Sequence, residues 1–120
     1  MLSCLCTLTP FLVHAGEEQY IEFPELAEGR TIWINNCEGC HGYGIAGAPI
    51  PMKSKDWAPR VGKPAEELYE HALQGFFGPD DTYMPARGGN DSLSDSEVMQ
   101  AVNYMVALAR HYLDETEKTK

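Results

Sequence analysis

CEGCHGYG, residues 37–44, is the stretch from which the rest of the chain is read. Two cysteines stand three apart, a histidine follows the second, and glycines lie inside and after the motif. Residues i and i+3 share a face on a helical turn, so Cys37 and Cys40 reach two points along one edge of a flat ligand. His41 follows at once, on the same side. C-x-x-C-H is the pattern of c-type haem attachment, in which the thiols meet the two vinyl groups of a porphyrin and the histidine coordinates its iron. Two other chemistries use paired cysteines. A thioredoxin-like redox pair should follow a strand in an α/β unit, and no strand pattern precedes Cys37. A zinc site needs two further ligands at suitable spacing, and His71 and His111 lie far along the chain. The haem reading is the preferred one.

Outward from the motif, length and charge set bounds. A chain of 120 residues, 43% of them hydrophobic, supports one modest core, because a domain this short buries only about 60–70% of its unfolded surface. A large apolar cofactor would enlarge that core. Nine basic against 18 acidic residues give a net charge of -9, which disfavours nucleic acid as a partner, so none is expected, and suits a partner with a basic surface. The first 15 residues, MLSCLCTLTPFLVHA, carry no Asp, Glu, Lys or Arg and end on small residues around Ala15. They are expected to be a signal peptide, too short for a membrane span of about 20 apolar residues. Export then places the protein in the periplasm, with attachment through an uncleaved N-terminus or a lipid on Cys4 as the alternative. Cys4 and Cys6 leave with the signal, so the exported chain keeps only Cys37 and Cys40 and is no disulfide scaffold.

Residues 16–25 form an acidic lead, expected to be extended on the surface. The domain is expected over residues 26–113. A first helix should run from Leu26 to Asn36, with Leu26, Gly29, Ile32 or Trp33, and Asn36 three to four apart. Gly29 inside it is unfavourable by nearly 1 kcal/mol relative to Ala and implies a packing reason. Residues 42–63 hold four glycines and three prolines and form a wrapped loop. Pro64 opens a second helix with Glu66 and Glu67 in its first turn and Leu68, Tyr69, Ala72 and Leu73 on one face; Gly75 ends it. Residues 75–93 read as a second long loop, too apolar at Phe76, Phe77, Tyr83 and Met84 to be disordered. Ser94 with Glu97 three residues on is a capping box, and Val98, Ala101, Val102, Met105, Leu108, Ala109 and Tyr112 make the apolar stripe of the last helix. Residues 114–120, DETEKTK, are expected to fray. No strand pattern stands out, so the fold class is all-α, three to five helices around one haem.

The ligand opposite His41 comes from four methionines and two histidines of the exported chain. Met99 and Met105 sit on the last helix, where methionine usually fills core. Met52 is only 11 positions beyond His41 and would have to cross the haem edge quickly. Met84 lies in the apolar-aromatic loop and is followed by Pro85, which stiffens the backbone. Met84 is favoured, with Met52 or a histidine as alternatives. Lys53, Lys55, Arg60 and Lys63 share residues 53–63 with one acid, Asp56. That local positive charge would suit haem propionates, with Arg60 and the Trp57 indole N–H as candidate contacts; a merely solvated basic loop is the competing reading.

The chain resembles the class I cytochromes c, and within them the cytochrome c5-like group of bacterial electron carriers, over roughly residues 26–110. Besides CEGCH, the likeness rests on AGAP at 46–49, WAPR at 57–60, HALQGF at 71–76, MPARGG at 84–89, LSDSEV at 93–98 and AVNYMV at 101–106. It implies a small class I cytochrome c fold with one covalently attached haem c, and His41 and Met84 as axial ligands. It further implies that the Pro49 carbonyl orients His41, and that Gly29 and Trp33 cross Tyr104. The segment GPDDTY makes the loop before Met84 longer than is usual in that family.

An iron with two protein ligands has no open position for a substrate. The expected function is therefore one-electron transfer between larger redox proteins, not catalysis. A haem subunit of an oxidase or dehydrogenase, and a haem-based sensor, are the alternatives.

Overall fold

Helix α5 (Asp95–Lys118) is the element on which three of the four preceding helices pack in the computed structural model, which describes residues 18–120. The expected signal peptide over residues 1–15, with Cys4 and Cys6, lies outside the described residues. Preceding α5 are α1 (Ala27–Asn36), α2 (Glu38–His41), α3 (Ser54–Trp57) and α4 (Ala65–Gln74). A hairpin of β1 (Phe76–Phe77) and β2 (Tyr83–Met84) follows α4. Short 3-10 turns at Pro24–Leu26, Ile45–Gly47 and Ala86–Gly89 link these pieces. Among the described residues no helix is long and apolar enough to cross a membrane.

Helix α5 starts as its sequence dictates. The Ser94 hydroxyl accepts from the Glu97 N–H at 3.2 Å, and the Ser94 N–H donates to Glu97 Oε2 at 2.8 Å, which satisfies two otherwise orphan donors. Its end departs from expectation. Residues 114–118 continue the helix, with Lys118 Nζ 2.8 Å from Glu115 Oε1. An i, i+3 ion pair and a lysine at the negative end of the helix dipole favour one more turn over fraying.

The core is the crossing of α1 over α5. Trp33 and Tyr104 are fully buried, their rings 5.8 Å apart, and Gly29 sits directly against Gln100. The lead joins this core instead of lying on the surface throughout: Tyr20 is buried and packs edge-on against Trp33 at 5.0 Å. The Tyr104 hydroxyl donates to the Ile21 carbonyl at 3.0 Å, and Tyr112 donates to Gln19 at 2.8 Å. Those backbone acceptors are supplied by the lead, so α5 holds it by hydrogen bonds that a surface segment would give to water. A second cluster joins Ala72 of α4 to Val98 and Val102 of α5, with Leu68, Tyr69, Leu73 and Met84 around it.

The hairpin corrects the reading of residues 75–93 as all loop. Phe76 pairs with Met84 and Phe77 with Tyr83, antiparallel. The turn is closed by the Thr82 N–H on the Pro79 carbonyl at 3.2 Å, with Asp80 and Asp81 at φ 57° and 58°. Two successive left-handed residues match the twist of paired strands, and Asp tolerates that region better than most side chains. Two residues per strand are too few to show alternation in a sequence. The fold remains a helical one with a small hairpin inserted between α4 and α5.

Candidate haem site

Cys37 follows α1 directly and leads into α2, so the first helix and the motif are one rigid run; its N–H donates to Trp33 O at 2.8 Å. One cavity is lined by Trp33, Cys37 and His41 from this side, by Met84 from β2, and by Ala101 and Met105 from α5. The structure thus brings Cys37, His41 and Met84 to a single apolar space, although 43 positions separate the histidine from the methionine. Cys40 is exposed and stands outside that lining.

His41 is buried, and its Nδ1 lies 2.9 Å from the Pro49 carbonyl oxygen. A carbonyl only accepts, so Nδ1 carries the proton and Nε2 keeps its lone pair, the state required of a metal-ligating imidazole. Burial holds the His41 pKa below its ordinary value; the Pro49 bond opposes that shift and the Arg60 charge adds to it. The imidazole is neutral at neutral pH as a result. Burial also pushes the Cys37 thiol up to about 11, with the neighbouring Cys40 adding to the shift. Redox pairs work the other way, by lowering a thiol pKa, so this environment does not suit one. Nor do three or more His, Cys, Asp or Glu side chains converge anywhere among the described residues, as a zinc site of that composition would require.

Met105 also lines the cavity, whereas Met52 packs against the α1–α5 core and Met99 lies at the surface. His71 stacks on Phe76 at 4.0 Å, and His111 lies edge-on to Phe23 and Tyr112. Trp57 is buried, and its indole Nε1 has no hydrogen-bond partner. A buried donor without an acceptor is costly. The Arg60 guanidinium donates to the Asp56 carbonyl of the same turn.

Sequence reasoning missed the role of the turn after Pro85. Arg87 and Gly88, both at positive φ, line the cavity. Arg87 donates to the Leu93 carbonyl at 2.9 Å and pairs with Asp95 at 2.5 Å. A Cβ on Gly88 would lie 2.7 Å from the Asn36 carbonyl, and Asn90 donates to the Asn36 side chain at 2.8 Å. The segment following Met84 is therefore fastened to the end of the helix that leads into Cys37. The paired glycines at 88–89 were the available signal, since one of them allows that close approach.

The residues fit a haem. The space has two candidate iron ligands, one with its lone pair free, and apolar walls, among them Trp33, whose buried indole N–H, like that of Trp57, has no partner. Residues 24–105 match the family model described as "Cytochrome C oxidase, cbb3-type, subunit III". A cytochrome c-555 of Prosthecochloris aestuarii is 39% identical over 95 residues, covering 77% of this chain and 92% of that protein. A cytochrome c-555 of Chlorobaculum tepidum is 35% identical over 72% of this chain and 79% of its own length. A cytochrome c-551 of Halorhodospira halophila is 34% identical over 67% of this chain and 97% of its own length.

The chain belongs to the class I c-type cytochromes. As such, this cytochrome carries covalently bound haem c and is an electron-transfer protein, not an enzyme, working with redox partners. The cytochrome's helical fold agrees with that membership.

Proposed function

We propose that this cytochrome is a periplasmic carrier of the c5-like group that holds one haem and shuttles single electrons between larger redox proteins. The observation that carries this reading is the placement of His41 and Met84 on one apolar cavity. Bound there, the haem supplies an iron that alternates between ferric and ferrous states. Cys37 and Cys40 would hold it by thioethers, and His41 and Met84 would supply the iron's protein ligands. Pro49 fixes the His41 ring in the tautomer that offers Nε2. Val98, Ala101 and Val102 keep water from the ring, and a methionine opposite a histidine raises the potential. With His41 and Met84 both committed to the iron, no position would be left on it for a substrate. A net charge of -9 favours partners that dock through basic surfaces.

Absorption spectroscopy of the matured protein tests the ligation. The oxidised form should show the far-red iron–sulfur band, and the reduced form should fail to bind carbon monoxide. Ready binding of carbon monoxide would instead place the protein among sensors or catalysts. A second reading, a haem subunit held in a larger oxidase, draws on the description of the matching family. Copurification with catalytic chains at high salt would select it.

Trp57 is further proposed to donate to a haem propionate, since its buried Nε1 lacks any acceptor within the protein; Arg60 adds positive charge beside it. Trp57→Phe keeps most of the volume and removes the donor. Its propionate should become easier to protonate, so the midpoint potential gains a pH dependence near neutrality, approaching about 59 mV per pH unit between the two propionate pKa values, the limit for one proton per electron. An unchanged curve of potential against pH removes the role.

A further inference from the structure

Three of the large apolar side chains left exposed belong to the hairpin: Phe77 at 79%, Tyr83 at 51% and Phe76 at 41%. Partners across a strand pair share a face of the sheet. Phe76 and Met84 occupy one face, where Phe76 stacks on His71 and Met84 lines the cavity. Phe77 and Tyr83 occupy the other, their rings 4.7 Å apart and tilted by 34°. This second pair faces away from the cavity, with no core beneath it. Two more exposed apolar residues, Tyr43 and Ile45, stand just before Gly47, where an added Cβ would lie 2.8 Å from Thr82 Cγ2. The hairpin and the segment after His41 therefore abut.

Charge accompanies this apolar face. Asp80 and Asp81 form the tip of the hairpin, both exposed, and neither belongs to an ion pair among the described residues. Between Ala72 and Ala86 they are the only charged residues. Acids flanking an aromatic pair match a surface of the opposite kind, and neither feature serves the core.

We propose that the outer face of this hairpin, Phe77 and Tyr83 rimmed by Asp80 and Asp81, is the docking contact for a redox protein that presents an apolar patch ringed by Lys and Arg. The inference rests on the electron-carrier reading above and names its contact surface. A partner seated on Tyr83 stands one residue along the strand from Met84, so the contact lies beside the candidate iron ligand. Transient redox encounters bury less than about 1,200 Å² in total. At 79% and 51% exposure, two aromatic side chains of roughly 150–250 Å² each offer on the order of 200–300 Å² for burial, a substantial share of one side, and the acids steer the encounter without holding the product complex.

The test uses the matured cytochrome and two small oxidants: tris(phenanthroline)cobalt(III), which is cationic and aromatic, and ferricyanide, which is anionic. Stopped-flow oxidation of the reduced protein by the cobalt complex should slow by roughly threefold to tenfold in Phe77→Ser, with midpoint potential and far-red band unchanged. Asp80→Asn with Asp81→Asn should slow the same reaction and flatten its decline with salt, while the ferricyanide rate holds or rises. Equal cobalt rates in the wild type and both variants overturn the proposal while leaving the carrier reading intact. A wild type that reacts with neither oxidant overturns the carrier reading itself. Sedimentation showing a dimer that Phe77→Ser dissociates would assign the face to a second copy of this chain and overturn the redox partner as its occupant.

Discussion

Met84→Ala should abolish the far-red iron–sulfur band, let carbon monoxide bind the reduced protein, and lower the midpoint potential by on the order of 0.2 V, a quarter of the roughly 0.8 V over which axial ligation moves haem potentials. The direction follows from ligand chemistry. A thioether is a soft, neutral donor that favours ferrous iron, and the water that would replace it in the variant favours the ferric state. The structure makes the experiment sharper than the sequence did, because Met105 reaches the same cavity from α5. Met105→Leu conserves volume at a cost below about 1.5 kcal/mol, so it reports on ligation and leaves packing nearly intact. Band and potential should survive it. The reverse result, loss in Met105→Leu and retention in Met84→Ala, would move the iron ligand to the last helix and leave β2 as a wall of the pocket.

Met84 has a second property that a ligand needs, which is a fixed position. Its strand pairs with Phe76, itself stacked on His71. The turn beyond it is tied to Asn36 and Asp95. Both flanks of the methionine are thereby anchored to elements that line the cavity, so an iron bound there would meet a thioether already held in place.

Local signals in the sequence were strong where one residue type has one reason to be present. The Ser94–Glu97 box begins α5, and the apolar stripe from Val98 to Tyr112 foretells the face it buries. Cys37, Cys40 and His41 state their chemistry by spacing alone. What could not be read were features made by distant segments meeting. Tyr104 lies off the stripe, yet it is fully buried; only the family resemblance pointed to its crossing with Trp33, and its enclosure by Phe23 and the Ile21 carbonyl had no signal of its own. Tyr20 looks like a surface residue in an acidic lead until Trp33 covers it. The hairpin carries two residues per strand, below the length at which alternation can be recognised. Its turn consists of aspartates in the left-handed region where glycine or asparagine would have announced it. The Arg87–Gly88 turn was visible as glycines, but its purpose is set by Asn36, fifty-two positions before Gly88.

Gly29→Ala sets two effects of similar size against each other, and the geometry decides between them. In an exposed helix the change would stabilise by nearly 1 kcal/mol, because alanine restricts the unfolded chain and propagates a helix better than glycine. At this position the new Cβ would lie 2.3 Å from the Gln100 carbonyl oxygen and 2.9 Å from its carbon. The obstacle is the backbone of α5, which no rotamer change can remove, so α1 and α5 must separate. Separation loosens the Trp33–Tyr104 contact one turn away, which is fully buried. Overpacking of this kind costs about 1–3 kcal/mol and occasionally more; with a whole helix seam displaced, a net loss of about 2 kcal/mol is expected. For a domain of this size each kcal/mol lowers Tm by about 4–8 °C, so the variant should unfold roughly 10 °C below the wild type by circular dichroism. Gly62→Ala, where an added Cβ meets nothing within 4 Å, should stay within about 0.5 kcal/mol of the wild type. An unchanged Tm in Gly29→Ala would mean that the two helices can part freely. Cys37 rides on the end of α1, so the haem anchor would then rest on a movable helix, and ligation by His41 would owe its geometry to the Pro49 bond instead of to the helix crossing.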